Sequence, residues 1–416
     1  MADQNSRHEI WLSKLKNHLE GERYATSTAS RCMTAARHFL ADLEARHADV
    51  DTAQPAHVEF YLRQALRRYR RRHGRAPGYK SWRRLQTEGI HMLLRLVQGR
   101  WPPVAAAIQP AEEFRREICG AYARWMAGLC GRNPRTVLAR CGEAGRFLDW
   151  LGESATPQTL ATLSLVDVDA YMKDRARSLR RTSLRQAASN IRAFLRWLHS
   201  TEQTAHDLST AVVSPRIYTF ESIPSAVRAE DVKKVLATAQ EDRTPKGIRD
   251  YAILMLLSTY GLRAGEITAL HLEDVDWRRE IIHIRHKKTG AISDLPLLPA
   301  VGEALLGYLQ ESRPQTPFRE VFIRCCAPYC PFKAGSNLHR MVRSRLGAAG
   351  VITTGKHGLH AFRHGRAVSL LRAMVPVKEI GDLLGHRSAE STAVYLKLAT
   401  EDLRAVAMEI PGVVRA

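Results

Sequence analysis

Along most of this chain the apolar side chains return at three- and four-residue intervals, and one short stretch breaks that rhythm. Ile281-Ile282-His283-Ile284 is a short β-branched strand, Lys287-Lys288-Thr289-Gly290 reads as a hairpin turn, and Ser293-Asp294-Leu295-Pro296-Leu297 follows as a second strand. An isolated hairpin is marginal in water, so helices on either side must cover it. The expected fold class is therefore mainly α with a small antiparallel β-sheet in the last domain. A helix through Leu270 and Leu272 is expected just before the hairpin, and helices over 230–239 and 248–260 before that.

The chain of 416 residues is too long for one core, and a prior of roughly 150 residues per domain gives two or three. Residues 1–108 read as a helical basic domain, with Ile10, Leu12, Leu15 and Leu19 at helical spacing and Ile90, Leu93, Leu94 and Val97 repeating it. Trp101-Pro102-Pro103 interrupts the pattern, because proline removes a donor and restricts the residue before it. A second helical domain spans 112–205, a connector with Pro215 and Pro224 spans 206–226, and the last domain spans 227–416. Arg31-Cys32 followed by Arg37-His38-Phe39-Leu40 is echoed by Arg140-Cys141 followed by Arg146-Phe147-Leu148, and Ile90 to Leu96 is echoed by Ile191 to Trp197. The first domain is thus expected to be a duplicate of the second.

Charge narrows the partner. Sixty-three Lys and Arg against 42 Asp and Glu leave a net charge of +21, which calls for a polyanion. No apolar run nears the roughly 18 residues of a membrane span. The N-terminus also lacks the apolar core of a signal peptide, so a cytoplasmic, nucleoid-associated protein is expected. No acid lies between Arg63 and Arg84, where Arg70, Arg71, Arg72, Arg83 and Arg84 flank Tyr79 and Trp82; a second run holds Lys173, Arg177, Arg180, Arg181 and Arg185. A solvated face usually mixes signs, so both runs are read as contacts to a phosphate backbone. Cys325, Cys326 and Cys330 lack the second Cys or His pair that a zinc tetrahedron needs. No metal and no cofactor are expected.

The chemistry collects near the end. His360 and Arg363 stand three apart on an expected helix, so both should leave one face. Around them are Gly261-Leu262-Arg263-Ala264-Gly265-Glu266-Ile267, Lys288-Thr289-Gly290, His360-Ala361-Phe362-Arg363-His364, Leu384-Gly385-His386 and Tyr395. In order and spacing these boxes resemble the tyrosine recombinases, the phage-integrase type, over roughly residues 112–410. Gly365 and Arg366 depart from the family, which often has a small hydroxyl residue after this segment.

The resemblance implies a multi-domain DNA clamp whose 112–205 segment is a core-binding, SAM-like domain. It implies a site-specific recombinase of the mobile-element integrase or transposase type, cutting and rejoining double-stranded DNA through a 3′-phosphotyrosyl bond. Arg263 and Arg363 would clamp the phosphate, Tyr395 would attack it, His360 would steer the tyrosine proton and His386 would donate to a phosphate oxygen. Lys288 would protonate the leaving oxygen, with Lys287 an alternative, and Glu266 would hold a guanidinium or histidine or form a plain helix salt bridge. A homotetramer on DNA, with a C-terminal tail docking on a neighbour, also follows; accessory recombinases and DNA-bending proteins are candidate further partners. The rivals are a type IB topoisomerase and a non-catalytic DNA-binding regulator on the same fold.

Overall fold

A computed structural model describes residues 2–103, 110–218, 226–286, 290–332, 336–352, 358–385 and 392. Contacts divide the chain into two compact units, residues 1–103 with 222–416 and residues 104–221. Among the described residues, no helix is long and apolar enough to cross a membrane.

Four helices make the first bundle: α1 (Ala2–Gly21), α2 (Thr26–Glu44), α3 (Pro55–His73) and α4 (Tyr79–Gln98). Their apolar faces share one core, centred on Leu15, Leu19, Phe39, Leu40, Tyr61, Ile90 and Leu93. Proline opens α3, where a missing N–H costs nothing, and Gly74 closes it at φ +65°, a conformation that glycine adopts without a Cβ clash.

The second bundle has α5 (Pro110–Gly128), α6 (Pro134–Leu151), the short α7 (Pro157–Ala161), α8 (Leu165–Ser178) and α9 (Arg181–Ser200). Its core of Tyr122, Phe147, Leu148, Tyr171, Ile191, Phe194 and Leu195 matches the first in detail. Phe39 meets Tyr61 edge-on at 5.6 Å and 80°, and Phe147 meets Tyr171 at 5.0 Å and 79°. Val58, Tyr61 and Leu62 on α3 and Val168, Tyr171 and Met172 on α8 are buried at one constant offset. The caps agree as well: the Gln54 N–H donates to His57 Nδ1 at 2.9 Å, and at the same offset the Ser164 N–H donates to Asp167 Oδ2 at 3.0 Å. Leu208 and Val212 also join this core, and Ser209 is fully buried. The connector read from 206 therefore begins later than the sequence suggests, because these apolar side chains return to cover α9.

The third core is larger. It is built on α10 (Ala229–Glu241), the nearly all-buried α11 (Pro245–Tyr260), α12 (Ala264–Ile267), α13 (Pro299–Gly307), α14 (Ser336–Ala348) and α15 (Leu359–Arg372), with α16 (Val377–Leu383) beside α15. Among the described residues the sheet has three strands, β1 (Val275–Asp276), β2 (Ile281–Arg285) and β3 (Ile292–Pro296), all antiparallel in the order β1-β2-β3, one strand more than expected. The helix expected through Leu270 and Leu272 stops at α12. Leu270 O accepts from the Val321 N–H at 2.8 Å and the Leu272 N–H donates to Arg319 O at 2.9 Å, so pairing with a distant segment pulls this backbone out of the helix.

Candidate active site

Arg263 is placed by a turn. Gly261 ends α11 at φ +65°, and a Cβ there would lie 2.8 Å from Leu384 Cδ2, so glycine is required both by conformation and by space. Arg263 then sits just before α12, where its N–H and its guanidinium both meet Glu266, each at 2.7 Å. The guanidinium also donates to Gly385 O at 3.2 Å. Burial alone would raise the Glu266 carboxyl; hydrogen bonds from His286 and Arg263, with the Arg263 charge, hold it below its ordinary value. Glu266 is thus the anionic support of Arg263, whose side chain stays partly exposed.

Arg363 lies on α15 and is 3% exposed, whereas His360, one turn earlier, is exposed. The two do not present their heads to one surface as their spacing suggests. The Arg363 guanidinium donates to Gly261 O at 2.8 Å and to Leu384 O. Those carbonyls cap the C-termini of α11 and α16, where unpaired carbonyls and the helix dipole favour a cation. His360 and His364 are 6.2 Å apart, and burial, with the charges of His360 and Arg363, pushes His364 down to about 4.

Gly365 has a plain physical reason. A Cβ there would lie 2.3 Å from Val227 O, and the Val227 N–H donates to Ala361 O at 3.0 Å. The chain therefore crosses α15 too closely for the small hydroxyl residue the family often carries.

Arg263, Glu266, Arg363 and the backbone of Leu384 and Gly385 are thus brought together. Lys287, Lys288, His386 and Tyr395 lie outside the described residues, as does the segment from 401. Gly385, at φ +60°, leads directly into His386. Of the DNA-contact residues, Arg70, Arg71, Arg72, Arg84, Lys173, Arg177, Arg180, Arg181 and Arg185 are exposed, while Arg83 is half-buried and ion-paired with Glu59. Among the described residues, no three His, Cys, Asp or Glu side chains cluster as a metal site.

Sequence reasoning missed His286. It is 2% exposed, with Nδ1 2.7 Å from Glu266 Oε1 and Nε2 2.9 Å from Ser293 Oγ. The signal was there: Ile282, Ile284 and His286 fall on the buried face at strand period two, and a polar residue on that face needs a partner.

Residues 225–402 match the phage integrase family. A Sinorhizobium fredii protein that bears the name integrase/recombinase y4gC is 56% identical over 190 residues, 46% of this chain and 97% of that one. A second from the same organism, y4rF, is 33% identical over 306 residues, 73% of this chain and 72% of its own. The tyrosine recombinase XerC of Mycobacterium leprae is 27% identical over 296 residues, 70% of this chain and 97% of that one. The fold is also similar to a lambda integrase (75–356) dimer bound to a core site, at TM-score 0.53 and 16% identity over 67% of this chain and 94% of that one. The chain belongs to the phage integrase family, the tyrosine recombinases. It is accordingly an enzyme of site-specific DNA recombination.

Proposed function

We propose that Arg263 and Arg363 grip the scissile phosphate of double-stranded DNA while Tyr395 attacks it, in the integration, excision or transposition of a mobile element. The Tyr395 oxygen bonds to phosphorus, the bond to the 5′ oxygen breaks, and a 3′-phosphotyrosyl link conserves the energy of the diester for rejoining. Negative charge gathers on the nonbridging oxygens, and planar guanidinium groups meet it with paired donors. Preorganised donors of this kind are worth about 3 kcal/mol each in the transition state. The observation that carries the reading is that Arg263 and Arg363 are anchored on adjoining backbone, one at Gly385 O and the other at Gly261 O and Leu384 O, which gathers two guanidiniums in one place before DNA arrives. His360 steers the tyrosine proton, Lys288 protonates the 5′ oxygen, and His386 donates to the phosphate.

The domains are read as a helical basic domain, a core-binding domain, a connector and the catalytic domain, with the first a tandem duplicate of the second. The shared aromatic pair and the shared caps support duplication. Both bundles hold the duplex backbone through their basic runs, and protomers assemble as a tetramer on DNA. Solved relatives support assembly on DNA: a lambda integrase tetramer bound to a Holliday junction, and the Tn1549 transposon integrase in complex with circular intermediate DNA.

The test is a nicked duplex carrying the core site, which footprinting on the DNA that flanks the gene would first locate. Wild-type protein should become covalently attached and Tyr395→Phe should not; covalent trapping by Tyr395→Phe would overturn the reading.

A further inference from the structure

His286 follows β2 and stands directly before Lys287 and Lys288. Its backbone closes the hairpin, with its N–H donating to Ala291 O at 2.8 Å and its carbonyl accepting from the Gly290 N–H at 2.8 Å. Its ring faces three ways at once. Nδ1 meets Glu266 Oε1, the same oxygen that accepts from the Arg263 guanidinium. Nε2 meets Ser293 Oγ on β3, the opposite side of the hairpin. The ring also fills the space above Gly385, where a Cβ would lie 2.5 to 2.7 Å from its atoms.

The protonation follows from the partners. A carboxylate held below its ordinary value can only accept, so Nδ1 carries the hydrogen toward Glu266. Nε2 is left to pair with the Ser293 hydroxyl, which can serve as donor or acceptor. One imidazole thereby touches the carboxylate beneath Arg263, Ser293 on β3 and the backbone of Gly385.

We propose that His286 is a positioning residue that sets Arg263, the paired ends of β2 and β3 and the Gly385 turn in register with one another. Its role rests on the reading of Arg263 and Lys288 as catalytic, and it works through other groups rather than by touching DNA. A buried ring bonded to both supports restricts how far either can drift, and a misplacement of about 1 Å can cost a catalytic site about 10²-fold in rate.

The experiment is single-turnover cleavage of the nicked core-site duplex, measured beside DNA affinity and thermal stability, for His286→Leu, His286→Asn, His286→Gln and Arg263→Ala. The Asn amide can replace Nδ1 and keep the Glu266 bond, whereas the Gln amide reaches the Nε2 position and loses it. His286→Leu and His286→Gln should cleave about 10²-fold more slowly with DNA affinity unchanged, and His286→Asn should recover most of the rate. Full activity of His286→Leu would overturn the proposal, as would equal slowing of the Asn and Leu variants, since the Glu266 bond would then not matter. If Arg263→Ala also cleaves at the wild-type rate, the reading of the whole site falls and this inference with it. If Arg263→Ala is inactive while His286→Leu is normal, only the inference falls.

Discussion

In the second helical bundle the Tyr171 hydroxyl donates to Glu143, a carboxylate only 4% exposed, which also accepts from Arg175 and Arg146. Burial and the Glu143 acceptor push the Tyr171 hydroxyl up. At the matching positions of the first bundle stand Ala35 and Ala65, with Tyr61 packed on Phe39 just as Tyr171 packs on Phe147. The carboxylate and guanidinium at these two positions of one bundle are thus replaced by methyl groups in the other, where Asp42 pairs instead with Arg46 and Arg68. The surface follows the same division. Lys173 and Arg177 lie within 3.7 and 3.9 Å of Asp169 and Asp174, and among the described residues Arg70, Arg71 and Arg72 have no carboxylate within ion-pair distance. The comparison teaches that apolar packing defines this small scaffold, while charge is adjusted on it independently.

That view can be broken most forcefully at the shared pair. Phe39→Ala and Phe147→Ala should each cost about 4 kcal/mol in denaturant unfolding, since each empties a fully buried site. A large effect in one bundle alone would show that the resemblance does not extend to energetics. Next comes the ion cluster. Glu143→Ala should cost about 3 kcal/mol, because it leaves Arg175 without its carboxylate. Adding Arg175→Ala, which gives the second bundle the two alanines that stand beside the tyrosine of the first, should recover much of that loss; a further fall would show that the cluster is a net stabiliser. The gentlest effect is on DNA. Replacing Arg70, Arg71 and Arg72 by Ala should flatten the log-log salt dependence by about 0.9 for each phosphate that is no longer neutralised. Replacing Lys173 and Arg177 should flatten it less, because their acids already offset them. An unchanged slope for the arginine variant would return that run to a solvated face.

Much of this was legible in the chain because it is written locally. Helical period, the break at Trp101-Pro102-Pro103 and the β-branched hairpin all act within a few residues of where they are read. What escaped depends on distant backbone. The end of α12 is decided by residues 319–321, and the buried Leu208 and Val212 by the core they return to. Arg363 is marked by its motif, but its inward aim depends on the C-terminal carbonyls of two other helices. His286 lies between these cases: strand alternation marks its face, while Glu266 and Gly385 give that face its meaning.

Val227 offers a last consequence. It is the point at which the chain, leaving the connector, is tied by its own backbone to the first turn of α15, pressed so near that Gly365 can carry no side chain. The helix turn that bears His360 and Arg363 is therefore held from outside by a backbone bond and the lack of one methyl group, so a side chain at residue 365 would displace the site without touching any of its charged groups.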